Sequence, residues 1–378
     1  MPSPRPTIAE INLQALQHNL HQVMRLTGAE RKILAVVKAD AYGHGAVEIS
    51  RALEREGVRF LGVATVEEGI ELRQAGIDAS ITVLGGAFPE QHGLLLDWKL
   101  SPVLYHLPWA EELSRTVQAR GEKIAVHIKV DTGMGRLGLN PEEAQAAIPK
   151  IASLPGLSVE GVISHFADAD LEDKAFTEGQ LGKFLVLREH LSGIGLRIPF
   201  WHISNSAAVM DFQPALFNMV RPGIMLYGYM PSDSFPGKVE LQPVLSWKTR
   251  IIHLKEVPAG TPLSYGRTFV TRRKSRIATL AVGYADGYSR SLSNRAEVLV
   301  NGRRAPVVGR VTMDMVLTDV TDIPKANLGD QATLIGEDGE DRITAWDLAR
   351  WGNTIAYEVL CGIGRRVPRI YLRGEHGA

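Results

Sequence analysis

The chain has 378 residues, 45% of them apolar and 22% charged, and its 42 Lys plus Arg are balanced by 42 Asp plus Glu. Zero net charge leaves no basic excess for holding nucleic acid or an anionic membrane surface. The single cysteine, Cys361, rules out an internal disulfide and fits a reducing compartment. Two domains are expected at this length. The segment Met1–Asn12 carries Pro2, Pro4 and Pro6 and no apolar signal-peptide core, and no apolar run approaches the ~20 residues of a membrane span. A cytoplasmic protein is the expectation.

In chain order, Leu13, Leu16, Leu20, Val23 and Met24 fall on one face of a helix that Asn12 is placed to cap. Ile33–Val37 is short, continuous and β-branched, the pattern of a buried parallel strand. It ends in Lys38, followed by the turn Ala39-Asp40-Ala41-Tyr42-Gly43-His44-Gly45. A lysine at such an exit has an apolar stem and an amine beyond the sheet edge. Partial desolvation there lowers its pKa and frees the amine for Schiff-base chemistry; snorkelling to solvent is the plainer alternative.

The strand, turn, helix pattern then repeats. Further strands are predicted at Phe60–Ala64, Ile81–Leu84, Pro102–Tyr105, Ile124–Val130, Val159–Ser164, Pro199–Ile203 and Met219–Leu226, the last interrupted by Pro222 and Gly223. Thr65-Val66-Glu67-Glu68 reads as a capping box, and Asn140-Pro141-Glu142-Glu143 as a cap, a first-turn proline and two acids. Strands alternating with helices in this way predict an α/β fold, an N-terminal (β/α)8 TIM-type barrel, with an open doubly wound sheet as the alternative. Barrel chemistry gathers at the C-terminal strand ends. There Lys38 ends the first strand, Arg136 follows the fifth, His165 ends the sixth, Ser204 ends the seventh, and Arg221 and Gly223 sit at the eighth.

The character changes after Phe235-Pro236-Gly237. This gives expected domains of 1–237, the barrel, and 238–378, mostly β. Strands are predicted at Val244–Lys255, Ile277–Val282, Glu297–Val300, Pro306–Val311, Met315–Asp319 and Gln331–Ile335, with a hairpin turn at Asn301-Gly302 and one late helix from Thr344 to Trp351.

Gly133-Met134-Gly135-Arg136-Leu137-Gly138 matches the pattern of a dinucleotide-binding turn. That turn needs its helix to begin within the glycines, whereas the helix signals here come later, at Asn140-Pro141. A lone histidine such as His165 is commonly a satisfied core residue; its neighbours at the rim favour a role in the site. His18 and His21 lack further clustered ligands, so no metal site is expected, and no Gly-x-Ser-x-Gly elbow indicates a hydrolase.

Over nearly its whole length the sequence resembles the bacterial alanine racemases. The block Ala35-Val36-Val37-Lys38-Ala39-Asp40-Ala41-Tyr42-Gly43-His44-Gly45 is similar to that family's cofactor-attachment signature. Supporting blocks are Lys129–Arg136, Asn205–Ala208, Arg221–Ile224, Ser264–Thr268, Val282–Tyr288, Gly309–Asp314 and Thr354–Cys361. Thr312 stands where cysteine is common, and Ala356 where proline is frequent.

The resemblance implies pyridoxal 5′-phosphate (PLP) on Lys38 as a Schiff base, acting as an electron sink for the carbanion at Cα. It implies Lys38 and Tyr265 as bases on opposite faces of that carbon; Tyr265 then needs positive charge or hydrogen bonds to its phenolate, for which His165 and a neighbouring arginine are the candidates. Arg221 is expected at the pyridine nitrogen, and Tyr42, Ser204, Gly223, Ile224 and Tyr357 at the phosphate. Arg136 and the Met313 backbone would meet the substrate carboxylate, and Lys129 matches a position that is often a carbamate, the alternative being an unmodified lysine. The implied assembly is a homodimer in which Tyr265 and Met313 serve the partner's site, and the implied role is supply of D-alanine for peptidoglycan. A PLP-dependent decarboxylase of basic amino acids, a PLP-binding barrel protein without activity, and a broad-spectrum or serine racemase are the competing readings. The first matches poorly around Tyr265 and Met313, the second would lack the second domain, and relatives of the third carry signal peptides and disulfides.

Overall fold

The computed structural model describes residues 5–235 and 239–373. The expected domain boundary at 237/238 lies outside the described residues. By its contacts the chain forms two compact units, one of residues 17–41 and 46–242, the other of the chain up to Leu16, Tyr42–Gly45 and the chain from Pro243 onward.

The chain opens with strand β1 (Ile8–Asn12) and helix α1 (Leu13–Thr27). Asn12 caps α1, its Oδ1 accepting the N–H groups of Gln14 (2.9 Å) and Ala15 (3.1 Å). The first unit is the barrel, whose strands are β2 (Lys32–Val36), β3 (Phe60–Val63), β4 (Ser80–Val83), β5 (Leu100–Leu104), β6 (Ile124–Lys129), β7 (Leu157–Ile163), β8 (Phe200–His202) and β9 (Met219–Val220). They form one parallel sheet in the order β8-β7-β6-β5-β4-β3-β2-β9. It is a nearly closed barrel, and its seam falls between β8 and β9. The continuous burial of β2 to β6 explains their unbroken apolar runs: parallel strands covered on both faces have no polar side to present.

The barrel helices follow the predicted signals. Helix α4 (Val66–Gln74) begins in the capping box of Thr65 and Glu68, and α7 (Pro141–Ser153) in that of Asn140 and Glu143. The longest is α8 (Ala175–Gly193). The predicted eighth strand is shorter than expected. Only Met219–Val220 pairs, because Pro222 has no N–H for a ladder, and Ile224–Tyr227 turns into a 3-10 helix.

Between β2 and the next helix lies α2 (Lys38–Gly43), a turn of opposite hand. Ala39, Asp40 and Ala41 have φ of 53° and Tyr42 has 55°, continuing into Gly43 at 80°. Consecutive non-glycine residues in this region cost roughly 1–2 kcal/mol each, so contacts must impose the turn. The Ala39 N–H donates to Glu68 Oε1 at 2.6 Å, and Asp40 Oδ1 accepts the Ala46 N–H at 2.7 Å.

The second unit is mostly β. Its long strand β10 (Leu245–Val257) pairs antiparallel with β1, which itself pairs parallel with the last strand, Arg369–Leu372. The sequence reading assigned no strand to Ile8–Asn12, whose partners lie far along the chain. Glu297–Val300 is a strand as expected, but its mate is Arg303–Pro306, and Pro306–Val311 is not a strand. The two-residue turn at Asn301 (φ 49°) and Gly302 (φ 72°) fixes this register, pairing Val300 with Arg303 and Glu297 with Pro306. The late helix runs Ala345–Gly352 from an N-cap at Thr344, and a short helix, Ala356–Cys361, follows.

Candidate active site

Within the barrel unit, one rim collects Lys38 after β2, Lys129 at the end of β6, Arg136 in the following loop, His165 after β7, Ser204 after β8 and Arg221 after β9. Arg221 is 4% exposed. Its Nη1 donates to the His202 carbonyl at 2.7 Å, and its Nη2 to the carbonyls of Ser164 (2.6 Å) and Ile203 (3.1 Å). Nη2 also lies 3.2 Å from His165 Nδ1. Arginine only donates, so Nδ1 is the acceptor and the neutral imidazole carries its proton on Nε2. Burial pushes Arg221 down to about 9, which leaves it charged at neutral pH. Burial, then the charges of Arg221, Lys129, Arg136 and Lys38, hold His165 well below the usual histidine range. Lys129 is likewise driven well below the usual lysine range, by burial and then by Arg221 and Arg136, with Lys38 adding to the effect and Asp131 opposing it.

These residues fit PLP. Among the described residues Arg221 has no carboxylate partner, and its Nε makes no hydrogen bond, so a donor remains for a ring nitrogen. Beside the barrel seam, the buried amide N–H groups of Ser204 and Ile224 meet no acceptor among the described residues, as an anion site requires. Two details alter the expected phosphate set. The Gly223 N–H is taken by Ser206 Oγ at 2.9 Å, and the Ser204 hydroxyl donates to the Ala215 carbonyl at 2.6 Å.

The glycine-rich loop after β6 wraps an internal anion. Asp131 accepts the N–H groups of Gly133 (2.9 Å, Oδ1) and Arg136 (3.1 Å, Oδ2), which anchors the loop carrying Arg136. Helix α7 starts only at Pro141. The loop amides are therefore directed at a side chain of this chain, and the dinucleotide reading is set aside.

In the other unit, the rings of Tyr42 and Tyr357 lie 6.0 Å apart at 48°. Burial, reinforced by Tyr357 and Cys361, pushes the Tyr42 hydroxyl up, so it stays a neutral donor. Ala356 takes the first position of its helix, where proline is also at home, so the helix carrying Tyr357 starts normally. Tyr265 and Met313 lie on the surface, 71% and 53% exposed. Thr312 holds the Met313 loop, accepting the Met315 N–H at 3.2 Å and donating to the Met315 carbonyl at 2.8 Å.

Sequence reasoning missed the groups that support the rim. Ser206, Asp131 and Glu68 lay inside quoted motifs, where their side-chain roles were legible. Gln180 gave no signal. A concavity of about 940 Å3 lined in part by Arg31, Arg188, Trp201 and Phe217 lies toward the N-terminal strand ends and holds none of these residues. Among the described residues no cluster of His, Cys, Asp and Glu could hold a metal, and no helix is long and apolar enough to cross a membrane.

The family model described as "Alanine racemase, N-terminal domain" matches residues 11–231, and "Alanine racemase, C-terminal domain" matches residues 244–371. The alanine racemase of Halothermothrix orenii is 50% identical over 367 residues, covering 97% of each chain. The solved alanine racemase of Clostridium difficile superposes with a TM-score of 0.95 at 41% identity, covering 99% of this chain and 97% of that one. That of Bartonella henselae, "with covalently bound pyridoxal phosphate", gives 0.88 at 31% identity over 98% of this chain and 100% of that one. The chain belongs to the alanine racemase family.

Proposed function

We propose that this protein interconverts L- and D-alanine with PLP as its cofactor, supplying D-alanine for peptidoglycan. The observation that carries the reading is the rim around Lys38: among the described residues, a buried arginine with no carboxylate partner, bonded to a neutral histidine, and the buried amide groups of Ser204 and Ile224 with no acceptor. When bound, PLP supplies an electron sink for the pair left at the substrate Cα.

In this reading Lys38 attaches the cofactor and moves a proton at one face of Cα through Nζ. Tyr265 of the partner subunit does the same at the other face through its hydroxyl. His165, with its proton on Nε2, donates to the phenolate form of that tyrosine. Arg221 donates to the ring nitrogen and cannot protonate it, which weakens the sink and disfavours side reactions such as transamination. The N–H groups of Ser204, Gly223 and Ile224 and the hydroxyls of Tyr42 and Tyr357 serve the phosphate, with Gly223 acting after release from Ser206. Arg136 and the Met313 backbone receive the carboxylate. A cytoplasmic homodimer with shared sites completes the proposal. Its support is the exposure of Tyr265, Tyr284, Met313 and Met315, large apolar side chains that a second copy would cover.

Mixing two inactive variants tests the whole reading. Lys38→Ala and Tyr265→Ala are each expected to lose at least ~100-fold in racemisation, followed as decay of L-alanine optical rotation. Refolded together, they form heterodimers with one intact site and regain activity. Failure to regain activity, with dimers present by sedimentation, would reject the shared site. Wild type that leaves the rotation unchanged would reject alanine racemisation itself.

A further inference from the structure

Gln180 lies on α8, outside every motif in the sequence, yet its side chain is 1% exposed. Its Oε1 accepts the Ala167 N–H at 2.9 Å. Its Nε2 donates to the His165 carbonyl at 3.0 Å and to Thr132 Oγ1 at 3.2 Å. The amide has only one workable orientation, because the Ala167 N–H needs an acceptor and the His165 carbonyl needs a donor. Thr132 Oγ1 is in turn 2.9 Å from Ser164 Oγ, and the Ser164 carbonyl accepts from Arg221 Nη2 at 2.6 Å.

One buried amide therefore grips both ends of the segment that carries His165 and joins it to the loop after β6 through Thr132. Thr132 is next to Asp131, the residue that anchors Arg136. Buried polar groups that are fully paired in this way fix one arrangement, since each alternative leaves an orphan. His165 and Arg221 meet through a single 3.2 Å contact, so a small shift of the His165 backbone changes where Nε2–H points.

We propose that Gln180 is a positioning residue for the racemisation reaction: it holds the His165 imidazole against Arg221 and aims its Nε2–H, and so acts on proton transfer rather than on substrate capture. The proposal rests on the alanine racemase reading. Displacing a catalytic group by about 1 Å costs up to ~100-fold.

The test uses PLP-loaded enzyme and apoprotein, each as wild type, Gln180→Leu and Gln180→Glu. Gln180→Leu is expected to lower kcat about 10- to 100-fold while KM for alanine stays within about twofold. Gln180→Glu keeps the acceptor for the Ala167 N–H but, ionised, has no donor for His165 or Thr132. Its deficit relative to wild type should shrink as pH falls and the carboxyl regains a proton to donate. In the apoprotein, the imidazole 15N resonances of His165 should shift in Gln180→Leu. Folded Gln180→Leu with wild-type kcat and unmoved His165 resonances would overturn the proposal. So would a Gln180→Glu profile parallel to wild type across pH, which a purely structural residue would give. If wild type fails to racemise alanine, the activity reading falls, while the apoprotein resonances still decide whether Gln180 positions His165.

Discussion

Lowering the pH from 7 to 5 should weaken the barrel unit by about 2 kcal/mol through His127 alone. His127 is 2% exposed inside the barrel, and its Nδ1 lies 2.9 Å from Nε2 of the fully buried His202. Gly161 makes room for the pair, since a Cβ there would collide with the His127 ring. Burial, and then the charge of Arg221, push His127 down to about 4, against about 6.5 for an unfolded histidine. Between those values the unfolded chain binds a proton that the folded one refuses, so stability rises with pH and is lost as pH falls. At about 1.4 kcal/mol per pH unit, the stretch from about 6.5 down to 5 gives the quoted ~2 kcal/mol. His202 is depressed in the same direction, by burial and then by His127, Arg221 and Lys129. The assay is urea unfolding of the apoprotein at both pH values, for wild type and His127→Asn. Surface carboxylates contribute to both chains and cancel in the comparison. Wild type should lose about 2 kcal/mol more than the variant on acidification. Equal losses in the two chains would refute the reasoning.

Two other outcomes follow from the rim and its turn. Ala39→Gly, at an exposed position with φ of 53°, should be neutral or stabilising by up to ~1 kcal/mol in thermal unfolding. The same exchange in a right-handed helix costs about 1 kcal/mol, and a loss of that size at Ala39 would show that the turn carries no strain. Lys129, driven well below the usual lysine range by burial and then by Arg221 and Arg136, should add CO2 at Nζ with loss of a proton. The resulting carbamate would appear as a 13C signal in 13C-bicarbonate that is absent from Lys129→Ala; identical spectra would mean an unmodified lysine.

Much of the rim was legible because parallel strands announce themselves as short apolar runs, and the residue leaving each run is fixed by the fold. Lys38, His165, Ser204 and Arg221 all stand one or two residues past a strand end. Three features were not legible, for different reasons. Ile8–Asn12 is too short to show a period, and it becomes a strand only through β10 and the chain's last strand. Nothing in Ala39-Asp40-Ala41-Tyr42 prefers positive φ; Glu68 and Asp40 impose it. Gln180 reads as one more polar residue on a helix, because periodicity registers apolar side chains and says nothing about a buried amide.

The left-handed turn also bears on when the protein becomes competent during synthesis. Its exit is held by the far end of the chain: Arg369 donates to the Gly43 carbonyl through Nε (3.0 Å) and Nη2 (2.9 Å), and the Tyr371 hydroxyl donates to the His44 carbonyl at 3.2 Å. A nascent chain can have released every barrel strand from the ribosome and still lack these donors. Glu68 and Asp40 can impose the body of the turn early, but its exit at Gly43 and His44 gains these hydrogen bonds only after residues 369–371 have emerged. Lys38 is made early, and the turn that follows it is completed at Gly43 and His44 by the strand Arg369–Leu372.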